Sequence, residues 1–185
     1  MPRINRRFLQ KLTGSLQTAC QVTNPSKLQE ELYGARTAAL YGYSHLTGGV
    51  PGGQAEIVRV PFADFNCLPI PDDVPDEKAL YLTDVVPTSY FGVDCAGVKE
   101  GDTVAIWGLG PIGLLAARWC QIRKARRIVG IDSVKERLDI ARNILNIETI
   151  NFKEQKTVKT LLEWFPTGVD CAIECAGFEY YSFPY

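Results

Sequence analysis

The chain has 185 residues, of which 46% are hydrophobic and 22% charged, the balance of a globular chain of one domain or one and a half. A formal net charge of −1 excludes a general electrostatic affinity for nucleic acid or acidic membrane surfaces. The most apolar stretch, Val104 to Cys120, is interrupted by Gly108, Gly110, Pro111 and Gly113, so no run approaches the ~20 apolar residues of a membrane-spanning helix.

The first 29 residues hold no Asp or Glu but include Arg3, Arg6, Arg7, Lys11 and Lys27. This reads as the basic start of a cytoplasmic protein; a mitochondrial transit peptide, also basic and acid-poor, is the alternative. The six cysteines, Cys20, Cys67, Cys95, Cys120, Cys171 and Cys175, form no C-x-x-C pair. Scattered within apolar segments, they read as reduced thiols buried as small hydrophobes in an intracellular protein.

A Gly/Pro-rich hinge at Gly48, Gly49, Pro51, Gly52 and Gly53 precedes Gln54 to Val60, whose alternation predicts a strand with Ala55 and Ile57 on one face. Loops rich in Pro and Asp follow. From Asp76 to about Gly97 the pattern predicts one or two helical segments with a break or kink at Pro87.

Beyond Gly97 the rhythm is regular. Val98 to Asp102 is a polar turn, and Thr103 to Trp107 a short buried strand. A helix is predicted from Pro111 to about Lys124, with Ile112, Leu115, Trp119 and Ile122 on its inner face. Arg127 to Ile131 is a second strand. Val134 to Leu145 is a second helix, opened by a Ser133/Glu136 capping box and carrying an apolar stripe of Val134, Leu138, Ala141 and Leu145. A third strand near Thr149 to Phe152, a third helix from Thr157 to Phe165 and a fourth strand from Val169 to Cys175 complete the series. The fourth strand's continuous apolar run suits burial on both faces. Strand–helix alternation at this spacing means an α/β fold with a parallel sheet and right-handed crossovers.

Gly108-Leu109-Gly110-Pro111-Ile112-Gly113 fits G-x-G-x-x-G directly after a predicted strand and at the start of a predicted helix, the context that a dinucleotide-binding fingerprint requires. Gly108 permits the tight turn, Gly110 lets a pyrophosphate approach the backbone, and Gly113 lets the helix lie close to the sheet. Pro111 suits the first helical turn, and the helix N-terminus offers its amides and partial positive charge to phosphates. Asp132 lies 19 residues past Gly113, at the tip of the second strand. Its carboxylate can accept hydrogen bonds from both adenosine ribose hydroxyls and repels a 2′-phosphate, which predicts NAD rather than NADP.

From about Cys20 to Glu179 the chain resembles the medium-chain, zinc-dependent alcohol dehydrogenases, closest to their glutathione-independent, formaldehyde-dehydrogenase-like branch. The matching blocks are Gly42-Tyr43-Ser44-His45-Leu46-Thr47-Gly48-Gly49, Gly52-Gly53-Gln54-Ala55-Glu56, Thr83-Asp84-Val85-Val86-Pro87-Thr88, and Val98 to Val104 running into the glycine loop. The resemblance implies that Asp84 is a catalytic-zinc ligand, that Thr88 sits beside the nicotinamide, and that Ile112 belongs to the cofactor-binding loop. It also implies that Arg137 is a basic residue near the adenosine ribose and that Cys20 is one of four structural-zinc cysteines. It further implies residues 1–83 as part of a mostly β, GroES-like catalytic domain, residues 84–185 as the first half of a doubly wound Rossmann domain, and a homo-oligomeric family.

The sequence departs from that pattern. The family's first zinc ligand, a Cys, and its second, the His of a Gly-His-Glu motif, have no counterpart, and the single histidine, His45, stands in another block. Three of the four structural-zinc cysteines are also missing. The expectation is a chain truncated at both ends that retains little or no zinc. Three functions follow: an oxidoreductase moving hydride between NAD and a small-molecule alcohol or hydrated aldehyde, a non-catalytic NAD-binding fragment, or a zinc-independent reductase of activated carbonyls or double bonds. Asp84 and the four blocks favour zinc ancestry over the third, and the missing ligands favour the second for the chain by itself.

Overall fold

In the computed structural model, residues 8–10, 41–42, 51–60, 63 and 67–177 are described. The chain divides into two units, one ending at Asp84 and the other beginning at Val85.

In the first unit, β1 (Phe8–Gln10) pairs antiparallel with β2 (Cys67–Pro69), Leu9 opposite Leu68. A short helix α1 (Asp76–Ala79) leads into a 3₁₀ turn over Leu80–Leu82. The strand expected at Gln54 to Val60 does not form: residues 51–60 are bends and irregular backbone, and Ile57 is 90% exposed. Alternation makes a strand only where a neighbour completes the ladder, and among the described residues none pairs with this segment. At its end the Tyr41 hydroxyl donates to the Arg59 carbonyl at 3.0 Å.

The second unit opens with α2 (Val85–Cys95). The helical break lies before Val85 rather than at Pro87, which sits in the first turn of α2, where the missing N–H breaks no helical bond. Then come β3 (Thr103–Trp107), α3 (Pro111–Ile122), β4 (Arg127–Asp132), α4 (Lys135–Asn143), β5 (Glu148–Asn151), α5 (Thr157–Trp164) and β6 (Cys171–Glu174). The four strands form one parallel sheet in the order β5-β4-β3-β6, the first four strands of a Rossmann sheet. Period-two alternation sends side chains to opposite faces. Val104, Ile106, Ile128 and Ile173 pack with Val93 of α2, Ala117 of α3 and Leu138 of α4. Ala105, Val129, Ile131 and Ile150 pack with Leu161 and Phe165 at α5.

Three expectations about side-chain placement are corrected. The inner face of α3 is Gly113, Ala116, Ala117 and Cys120, whereas Ile112, Leu115 and Trp119 are half-buried and Ile122 is 56% exposed. The helix lies so close to the sheet that only small residues fit beneath it, so the bulkier ones flank the contact. The Ser133/Glu136 capping box does not form, since no side chain caps α4; the Asp132 carboxylate takes the amides of Ser133 and Val134 instead. Strand β6 buries Ile173 alone, with Ala172 and Glu174 exposed, because among the described residues only β3 pairs with it and nothing packs over its second face. On α4 itself, Leu138 and Ala141 are buried as expected, while Val134 is 38% exposed.

The described cysteines are all free thiols. Cys120 is buried and Cys67, Cys171 and Cys175 are half-buried. Cys95 is exposed at the end of α2, contrary to the expected burial. Among the described residues no helix is long and apolar enough to cross a membrane.

Candidate functional site

The sheet order puts β3 between β4 and β6, and the chain leaves β3 for a helix on one side and later returns on the other. Such a switch point leaves a crevice at the carboxyl ends of the strands, where α/β proteins bind ligands. An open cleft of about 1740 Å³ lies there, lined by Gly108, Gly110, Pro111, Ile112, Asp132 and Arg137 among others.

The turn leaving β3 is built on glycine. Gly108 has φ +83, and a Cβ there would come within 2.9 Å of the Ala176 backbone nitrogen. A Cβ on Gly113 would collide with the carbonyl oxygen of Gly108, so the helix can start this close to the strand only without a side chain. Gly110 differs from both: a Cβ on it would meet nothing within 4 Å, which leaves its backbone open to the cleft. Gly110 is the N-cap of α3 and Pro111 its first residue. The first bond of the helical ladder runs from the Leu114 amide to Gly110 O at 2.9 Å. The amides of Ile112 and Gly113 thus precede any intrahelical partner and carry the positive end of the helix dipole.

Asp132 ends β4 beside this turn and is 5% exposed. Its Oδ2 accepts from the Leu109 amide at 2.7 Å, and its Oδ1 from the amides of Ser133 at 2.6 Å and Val134 at 2.9 Å. The Arg137 guanidinium stands 3.5 Å from Oδ2 and is half-exposed. Burial pushes the carboxyl up, but the three amide bonds and the Arg137 charge outweigh it and hold Asp132 below the ordinary carboxylate value. A carboxylate has about four acceptor positions; three are taken by amides, which leaves room for one further hydroxyl donor and not for the two ribose hydroxyls expected from the sequence.

The fold thus brings Gly108, Gly110, Pro111, Ile112, Asp132 and Arg137 to one cleft, with Gly113 buried under the turn. Thr88 lies exposed in the first turn of α2 and does not line the cleft. Asp84 is exposed at the end of the first unit. Cys20 and His45 lie outside the described residues. Among the described residues no three or more His, Cys, Asp and Glu side chains come together, so these residues do not make up the three-ligand set of a catalytic zinc.

Sequence reasoning missed the far wall. Phe152, Lys153, Lys156 and Thr157, from the β5–α5 connection, also line the cleft. Their signal was position, since a connection leaving the carboxyl end of a parallel strand borders the crevice. It also missed Gly130, a glycine inside a strand, which marks a close approach of another group.

Residues 111–182 match the zinc-binding dehydrogenase family. A zinc-type alcohol dehydrogenase-like protein of Schizosaccharomyces pombe is 48% identical over 163 residues, 88% of this chain and 38% of the relative. A glutathione-independent formaldehyde dehydrogenase of Bacillus subtilis is 41% identical over 151 residues, 78% of this chain and 36% of the relative. Among solved structures, an alcohol dehydrogenase from Thermus sp. ATN1 superposes with a TM-score of 0.70 at 34% identity, covering 76% of this chain and 41% of that one. The chain therefore spans about two-fifths of the length of the relatives it matches.

Proposed function

We propose that this chain, whose residues 111–182 match the zinc-binding dehydrogenase family, is the coenzyme-binding part of an NAD-dependent oxidoreductase of the zinc-type alcohol dehydrogenase kind. Its substrate class is a small alcohol or a hydrated aldehyde, in line with the relatives that are named alcohol and formaldehyde dehydrogenases, and its compartment the cytoplasm. The chemistry that NAD supplies when bound is acceptance of a hydride at its nicotinamide ring.

The observation that carries the reading is the pairing of an open helix N-terminus with a buried carboxylate on the adjacent strand tip. The Gly110 backbone and the amides of Ile112 and Gly113 suit a pyrophosphate. Asp132 suits a ribose hydroxyl and opposes a 2′-phosphate, and the amides of Val134, Leu109 and Ser133, with a lesser contribution from Arg137, outweigh burial and hold that carboxylate charged.

For the chain by itself the reading is binding without zinc-dependent turnover. The described residues do not supply the donor set, and Asp84 offers one carboxylate.

Titrating NADH and NADPH against wild type and Asp132→Ser tests the coenzyme assignment. Loss of hydrogen bonds to a charged group costs about 1.5–3 kcal/mol, so NADH should bind the wild type at least about tenfold more tightly, and the variant should lose that preference. Equal affinity of the wild type for both would remove the NAD assignment.

A further inference from the structure

Gly130 sits in the interior of β4, paired with Ile106 of β3 and Thr149 of β5. Its φ is not in the left-handed region, so the backbone does not require glycine there, and glycine weakens a strand interior. What requires it is space. A Cβ on Gly130 would stand 2.8 and 2.9 Å from Cδ2 and Cδ1 of Leu109 and 3.3 Å from its Cγ. Leu109 is 0% exposed and packs in the core cluster with Ile106, Ala117 and Leu138. It is the one residue with a side chain between Gly108 and Gly110, and its amide donates to Asp132 at 2.7 Å.

We propose that Leu109, seated in the socket that Gly130 leaves in β4, anchors the phosphate-binding turn, which makes Gly130 a positioning residue for the dinucleotide. This rests on the coenzyme-binding reading above. The turn's glycines supply conformation and access, and Gly108 adds one backbone tie to β4, its amide donating to the Ile131 carbonyl at 2.8 Å. Leu109 grips twice, through its side chain over Gly130 and through its amide on Asp132. A methyl group at position 130 pushes Leu109 outward, lengthens the Leu109–Asp132 bond and shifts the Gly110 backbone, without itself reaching the cleft.

The test uses the full chain with Gly130→Ala, Leu109→Val and the double variant. It reads NADH affinity by fluorescence titration and amide hydrogen exchange at Leu109. Gly130→Ala should weaken NADH binding at least tenfold and speed exchange at Leu109, while amides in the middle of β3 stay protected. Leu109→Val, which opens the socket without a clash, should do the same to a smaller degree. The double variant, with the smaller side chain facing the added methyl, should recover both quantities to within about threefold of wild type. If Gly130→Ala alone fails to fold, recovery in the double variant carries the same conclusion. Unchanged exchange at Leu109 in both single variants, or a double variant no better than Gly130→Ala, would overturn the anchor. Faster exchange with unchanged NADH affinity would reduce Gly130 to a packing residue. A wild type that binds neither dinucleotide would sink the coenzyme reading, and the exchange data would still decide the anchor.

Discussion

The carboxylate of Asp132 accepts the amide of Leu109 at 2.7 Å across 23 positions of sequence, so the tip of β4 also fastens the glycine turn that leaves β3. The two parts of the proposed dinucleotide site are thereby one hydrogen-bonded unit.

That coupling makes the unit acid-sensitive. The folded Asp132 carboxyl titrates below its ordinary value, burial being outweighed by the amides of Val134, Leu109 and Ser133 and by Arg137. A depressed folded value means that the stability it contributes is present above the unfolded carboxyl value of about 3.9. It is lost as pH falls through the lower, folded value. Melting temperature followed from pH 6 downward should therefore drop less steeply below about pH 4 in Asp132→Asn than in wild type. Identical slopes would count against a charged Asp132 in the folded chain.

Gly110 and Gly113 should separate binding from folding. A Cβ on Gly110 meets nothing within 4 Å, so Gly110→Ala should change stability by less than about 1 kcal/mol. It nevertheless places a methyl where a pyrophosphate would approach, so NADH affinity should fall about tenfold or more. Denaturant melts and titration of the same sample check both halves; a large loss of stability would show that the position is not open.

Gly113→Ala should behave in the opposite way. Its Cβ collides with the Gly108 carbonyl oxygen, and overpacking of this kind costs about 1–3 kcal/mol or more. The denaturation midpoint should fall even without cofactor. An unchanged midpoint would mean that α3 can slide away from the sheet freely.

Thiol labelling should rank the cysteines by burial. Burial pushes the Cys120 thiol up to about 12 and the Cys175 thiol up to about 11, and the thiolate is the reactive form. At pH 8, among the described cysteines, an alkylating agent should modify exposed Cys95 first and leave Cys120 and Cys175 largely unmodified while the chain is folded. Rapid labelling of Cys120 would indicate that the α3–sheet contact opens.

The purified chain should hold no stoichiometric zinc and form no NADH from simple alcohols or formaldehyde. Elemental analysis beside the turnover assay checks this. Stoichiometric zinc with turnover abolished by Asp84→Ala would show that residues outside those described complete a metal site.

The α/β alternation from Val98 onward, the glycine turn and Asp132 were legible in the sequence because each is a local pattern. Period two and period 3.6 identify strands and helices, and glycine at Gly108 answers to a backbone angle of φ +83. The sequence by itself determined that a dinucleotide fingerprint is present. The tertiary structure decided what local pattern cannot hold. Which face of α3 turns inward depended on how closely the helix approaches the sheet, and that excluded the bulky stripe that periodicity favoured. The strand expected at Gln54 to Val60 depended on a ladder partner, and none is present among the described residues. The role of Gly130 depended on Leu109 arriving over it from another turn, a coincidence in space between residues 21 positions apart. The amides that Asp132 accepts depended on how the strand tip, the turn and the start of α4 converge. A sequence lists donors and acceptors in order along one dimension; which of them meet is fixed by packing in three.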